Sequence, residues 1–221
     1  MQKNITKKKI FNARRILAAI GIIAFSTIIL ITAKAMHKGP MMPVPEYRTS
    51  ATEGISKPIL EIYEYTDLAC PACAMANTAI IEILDLYGDK IKLHFKHFPL
   101  DMHKWSEKAA LYADCAGEQG QFFPYARMLF ENQEKWADSE TEPKEFMLYA
   151  DMLSLDNEKL QLCLNKTANQ ERIRLEKAEG KSKGIEGTPA FFINGKFRMG
   201  SGAVTEEVKK LETKLIQEKR K

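Results

Sequence analysis

The sequence predicts an α/β fold in which the two ends of the folded part complete one sheet and a helical block is inserted between them. Three observations carry this. Strand and helix patterns alternate from Ile59 to Lys96, helix signals alone run from Ser106 to Lys183, and a hairpin followed by a helix closes the chain. With 221 residues, 45% of them hydrophobic, there is enough chain for one domain with a sizeable core and such an insertion.

Residues 1–35 stand apart. They carry seven of the 33 basic side chains (Lys3, Lys7, Lys8, Lys9, Arg14, Arg15, Lys34) and no acidic one, which leaves 26 basic against 29 acidic beyond Ala35. The folded part is therefore mildly acidic, and nucleic acid is not expected as a partner, because phosphate binding needs a basic face. The uncharged run from Ile16 to Ala33 is near the lower length limit for crossing a bilayer. Its preceding basic cluster places the N-terminus in the cytoplasm and the rest across the membrane. Ala33-Lys34-Ala35 has the form of a signal-cleavage site, so a cleaved signal peptide competes with an uncleaved anchor; the length of the apolar run favours the anchor. Both readings export the domain.

Residues 36–57, with Gly39, Pro40, Pro43, Pro45 and Gly54 and no apolar period, read as a tether. The first sheet part, 58–104, opens with a strand at Ile59–Tyr65 and a helix from Pro71, favoured at the first helical position, to Tyr87, with Gly88 standing where it ends. A second strand follows, in which Ile91, Leu93 and Phe95 alternate with Lys92, His94 and Lys96, the pattern of one buried face. In the insertion, 105–183, Ser106, Thr141 and Asp156 are candidate caps, Pro124 fits a first turn and Pro143 lies inside the third segment. A long helix then runs from Ala168 to Lys183 and Gly184 closes it. In the last part, 184–221, Asn194-Gly195 predicts a type I′ hairpin between Ala190–Ile193 and Lys196–Met199, and Thr205 is the expected cap of the final helix.

The chemistry centres on Cys70-Pro71-Ala72-Cys73. A thiol must ionise to attack a disulfide, and a free cysteine is mostly protonated at neutral pH. At the start of a helix the unpaired N–H groups and the macrodipole favour an anion, so Cys70 is placed as the nucleophile. Cys73, about one turn on, can close a disulfide with it and acts as the resolving thiol. A zinc site would need a second close pair of ligands, and Cys115 and Cys163 are far from this motif and from each other. No metal and no cofactor is expected. A copper-delivering module is a weaker alternative.

The segments Glu64–Cys73 (EYTDLACPAC), Phe98-Pro99-Leu100, Cys115–Phe123 (CAGEQGQFF) and Gly187–Gly195 (GTPAFFING) together resemble the DsbA-like branch of the thioredoxin superfamily. The resemblance implies a thioredoxin fold with a helical subdomain inserted after the second strand. It also implies a cis Thr188–Pro189 bond whose loop faces the cysteines, with Thr188 and Pro189 binding an extended substrate segment. Glu64 matches a buried acidic residue that influences the cysteine pair in that family; strand alternation alone would equally let it face solvent. Asp67 is another local charge. Family members that oxidise strongly carry Pro-His between the cysteines, whereas Pro71-Ala72 here predicts a less oxidising pair. Cys115 and Cys163 are either a second disulfide, as some relatives carry, or two buried free thiols. His94 and His97 read as structural and His37 and His103 as linker and loop residues, without a catalytic role.

The expected function is that of an extracytoplasmic thiol–disulfide oxidoreductase acting as a dithiol oxidase on exported proteins. A reductase or isomerase direction is the alternative. As the resemblance implies, a quinone-linked, DsbB-like membrane protein would restore the disulfide.

Overall fold

A computed structural model describes residues 20–27, 40–50, 58–88 and 90–218, and the chain divides into two compact units, 1–40 and 41–221. In the first unit, residues 20–27 are helical, with Ile20, Ile22, Ile23 and Phe25 exposed. No helix among the described residues is long and apolar enough to cross a membrane. The rest of the expected span, residues 16–19 and 28–33, lies outside the described residues, as do the Ala33-Lys34-Ala35 motif and residues 51–57.

The second unit contains the strands β1 (Thr49–Ser50), β2 (Leu60–Thr66), β3 (Ile91–His97), β4 (Ala190–Ile193) and β5 (Lys196–Met199). They form one sheet in the order β1-β3-β2-β4-β5. Helix α1 (Pro71–Tyr87) links the parallel pair β2 and β3, while β4 runs antiparallel to β2 and β5 antiparallel to β4. Asn194 and Gly195 both adopt positive φ (47° and 75°), as the expected type I′ turn requires. Between β3 and β4 lie α2 (Ser106–Gly117), α3 (Phe122–Glu131), α4 (Gln133–Trp136), α5 (Glu145–Met152), α6 (Asn157–Leu164) and α7 (Thr167–Ser182), and α8 (Ala203–Glu218) ends the unit.

One face of the sheet packs Leu60, Ile62, Ile91, Leu93, Phe191 and Ile193 against Ala76, Ile80 and Ile83 of α1 and Val204 and Val208 of α8. Helix α8 starts two residues before the expected cap Thr205, which brings Ala203 and Val204 into this core. On the other face Tyr65, Phe98, Ala190 and Phe192 cluster beneath α7. Gly180 is needed there, since a Cβ at that position would sit 2.6 Å from the Phe98 ring.

That second face holds charge, which corrects two expectations. Lys96 is fully buried instead of facing solvent, donating to Glu179 and, at 2.8 Å, to the Met42 carbonyl. Residues 41–50 are not a free tether. Arg48 is 0% exposed, forks onto Glu176 at 2.6 and 2.8 Å, and lies 3.1 Å from Asp114, while Thr49 and Ser50 pair with β3. Periodicity could not show this, because the partners come from helices more than sixty residues away in sequence.

In the insertion Asp156 caps α6 as expected, its carboxylate accepting the Lys159 N–H. Ser106 does not cap α2: its hydroxyl donates to Asp67 instead, and Trp105 occupies the cap position. Thr141 and Pro143 both precede α5. Cys115 and Cys163 are bonded, joining α2 to α6.

Candidate active site

Strand β2 ends at Thr66, and the loop Asp67–Ala69 delivers Cys70 to the N-cap of α1, where its backbone is extended and Pro71 begins the helix. Pro71 has no N–H to leave unsatisfied there. The Cys70 carbonyl accepts from Cys73 N–H (3.0 Å) and Ala74 N–H (3.1 Å), closing the first turn under the sulfur. Both cysteines are free thiols, Cys70 7% and Cys73 0% exposed. The Thr188–Pro189 bond is cis, and Cys70 Sγ lies 3.7 Å from the Thr188 carbonyl oxygen, with the thiol as donor. The structure thus brings together Cys70, Cys73, Thr188 and Pro189 from 118 residues apart in sequence.

The two thiols are driven in opposite directions. A hydrogen bond with Cys73 acts most strongly to lower the Cys70 pKa, helped by Thr188 and the amides of Cys73 and Ala72, and together they overcome burial. Burial, followed by the adjoining Cys70, pushes Cys73 far up, although the Asp67 N–H, 3.5 Å from its sulfur, pulls the other way. These influences favour ionisation at the outer sulfur and the protonated form at the inner one. Ala72 contributes its amide here, and its side chain packs against the core of the insertion.

Glu64 faces inward, toward α1. It is 2% exposed, pairs in register with Phe95 and Phe191, and lines a cavity of about 420 Å³ together with Ile80, Leu84, Phe123 and Arg127. Burial raises its pKa to about 8. A carboxyl with a raised folded pKa contributes stability below its unfolded value that is lost as pH rises through the folded value. Glu64→Gln is therefore expected to stabilise the domain by ~3 kcal/mol at pH 7 and by almost nothing at pH 4. Guanidinium unfolding at the two pH values checks this, and an equal effect at both would refute it.

Three residues not singled out for the site support it. His103 Nδ1 donates to Asp67 Oδ2 (2.7 Å), Ser106 donates to Asp67 Oδ1, and the amides of Ala69 and Leu100 donate to the same carboxylate at 2.8 Å each. Asp67 is thus less a loose local charge than a buried knot between the cysteine loop and the start of the insertion. Gln133, the first residue of α4, donates to the carbonyls of Leu68 (2.7 Å) and Cys70 (3.1 Å). No local pattern marks Gln133 or His103, since each gains its meaning from a loop more than thirty residues away.

A parallel βαβ unit joined to an antiparallel hairpin and helix, with a dithiol at a helix start opposite a cis-proline loop, defines a thioredoxin-fold dithiol protein. The thioredoxin family model matches residues 48–213, and the chain belongs to that family. Among solved structures, alpha-DsbA1 of Wolbachia pipientis superposes with a TM-score of 0.68 at 24% identity, covering 80% of this chain and 96% of that one. Oxidised BdbD of Bacillus subtilis superposes with a TM-score of 0.62 at 22% identity, covering 76% and 92%. These likenesses establish the DsbA-like fold with its helical insertion. Curated relatives include the Na(+)/H(+) antiporter NhaA 3 of Salinispora tropica, 30% identical over 161 residues, and NhaA 1 of Mycobacterium sp. (strain KMS), 32% identical over 158 residues. The matches take in 72% and 69% of this chain but only 24% and 25% of those proteins, so the chain spans about a quarter of their length.

Proposed function

We propose that this protein is an exported thiol–disulfide oxidoreductase whose Cys70–Cys73 pair oxidises dithiols in exported proteins. The observation that carries the reading is the placement of the two sulfurs: Cys70 stands at the N-cap of α1, 3.7 Å from the Thr188 carbonyl of the cis-proline loop, with Cys73 fully buried behind it, an arrangement that lowers the Cys70 pKa and raises that of Cys73. In the oxidised enzyme a substrate thiolate attacks Cys70 Sγ, the Cys70–Cys73 bond breaks, and Cys73 leaves and takes up a proton. A second substrate thiolate then attacks the substrate sulfur of the mixed disulfide and expels the stabilised Cys70 thiolate. The substrate loses two electrons and the enzyme pair gains them. Thr188 and Pro189 bind the extended substrate strand, and a quinone-linked, DsbB-like membrane protein takes the electrons onward.

The basic cluster before the uncharged run Ile16–Ala33 supports an N-terminal anchor with its N-terminus in the cytoplasm and the domain on the outer face. Pro71-Ala72 favours a second reading, in which the same residues run as a reductase or isomerase, because no imidazolium stands between the cysteines. Equilibration with glutathione separates the two. A potential between about −180 and −120 mV is expected, and one near −270 mV would reverse the direction of flow. Cys70→Ser should abolish exchange; an unchanged rate would end the enzyme reading.

A further inference from the structure

The loop that presents Cys70 is held on two sides. From within, the Asp67 carbonyl accepts the Cys70 N–H at 3.1 Å while the Asp67 carboxylate is tied to Leu100, His103 and Ser106. From the insertion, the Gln133 side-chain amide donates to both Leu68 and Cys70 carbonyls.

We propose that Gln133 is a positioning residue of the redox pair, through which the helical insertion sets how well Cys70 holds a negative charge. The Cys70 carbonyl also accepts the N–H groups of Cys73 and Ala74, which close the first turn of α1, so its orientation and that of the turn are a single geometric variable. The amides of Ala72 and Cys73, which face the Cys70 sulfur, belong to that turn. Gln133 also lays the positive end of an N–H dipole on a carbonyl of the cysteine itself, offsetting negative partial charge close to the thiolate. Helix α4 can hold the amide in place because Trp136, one turn on, is 0% exposed and donates from its indole to the Leu129 carbonyl at 2.9 Å. Gln133 carries no charge, so its influence is independent of pH. Losing it should weaken the thiolate, raise the Cys70 pKa and make the pair less oxidising.

The inference rests on Cys70 and Cys73 being a working redox pair, and not on the direction in which it runs. Gln133→Met keeps length and packing but removes both donors, and Gln133→Glu keeps the shape while setting an acceptor against two carbonyls. Thiolate absorbance against pH and the glutathione equilibrium are measured on the full chain, with guanidinium unfolding as the stability control. Gln133→Met is expected to shift the equilibrium constant about three- to tenfold toward the enzyme disulfide, with the Cys70 titration moving up in proportion. Gln133→Glu is expected to move both further the same way. If either folded variant lowers the unfolding midpoint while leaving titration and equilibrium within twofold of the parent, the role is structural and the proposal fails. A parent protein that does not exchange with glutathione would defeat the redox reading instead, and the Cys70 titration would still decide the role of Gln133.

Discussion

Replacing Arg48 with methionine is expected to cost about 3–5 kcal/mol of stability, the usual range when one partner of a buried ion pair is removed. The guanidinium is fully buried between Glu176 and Asp114, with a further bond of 3.3 Å to the Phe95 carbonyl. Asp114 also takes His97 at 3.1 Å and Arg172 at 3.3 Å, while Glu176 accepts the His97 N–H at 2.9 Å. Two fully buried carboxylates would thus lose a cation. Burial alone would raise the Asp114 pKa, but His97, Arg48 and Arg172 outweigh it and hold the carboxyl below its usual range. A depressed carboxyl contributes stability above its unfolded pKa that is lost as pH falls through the folded value, so the parent should weaken in acid more steeply than Arg48→Met does. Adding Glu176→Gln should recover part of the loss, since one carboxylate disappears and the His97 N–H keeps an acceptor. Guanidinium unfolding of the three proteins is the measurement, and a loss below about 1 kcal/mol for Arg48→Met, typical of an exposed pair, would contradict the account.

Removing the second disulfide is the other large effect. Cys115 and Cys163 are 48 residues apart in sequence, and a loop of that length corresponds to about 4 kcal/mol in the chain-entropy account of cross-linking. Both cysteines are buried, and Asn169 donates to the Cys163 sulfur at 3.1 Å and to Glu118 at 2.9 Å, so Cys115→Ala with Cys163→Ala also removes one of the two acceptors of that amide. The double variant should unfold at a much lower guanidinium concentration, and the helical signal should be lost first if the insertion opens ahead of the sheet. An unchanged midpoint would show that the cross-link does not constrain the unfolded chain.

Where a signal is local, the sequence carried it. Pro71 after Cys70, Asp156 ahead of α6, Asn194-Gly195 in the hairpin and Gly184 after α7 each act through their own backbone or a neighbour within one turn, and each stands where expected. Ser106 shows the limit, because its hydroxyl had a choice between its own helix and Asp67, and the distant carboxylate won. Lys96 and Arg48 show it again. A basic side chain in an alternating strand or a proline-rich stretch reads as solvated until Glu179 and Glu176 on α7 are brought over it.

The Cys70–Cys73 motif, its place at a helix start and the order of strands and helices around it were determined by the sequence alone, because they depend on spacing and on nearest-neighbour geometry. Resemblance to relatives supplied the cis bond at Pro189. Tertiary structure decided that Glu64 faces the interior, that Cys115 meets Cys163, and that residues 41–50 are part of the domain. It also decided that Asp67, His103 and Gln133 converge on the cysteine loop. Each of these turns on a pairing across more than thirty residues or on the covering of a strand face, and hydrophobic period and local propensity carry no information about which distant group will arrive there.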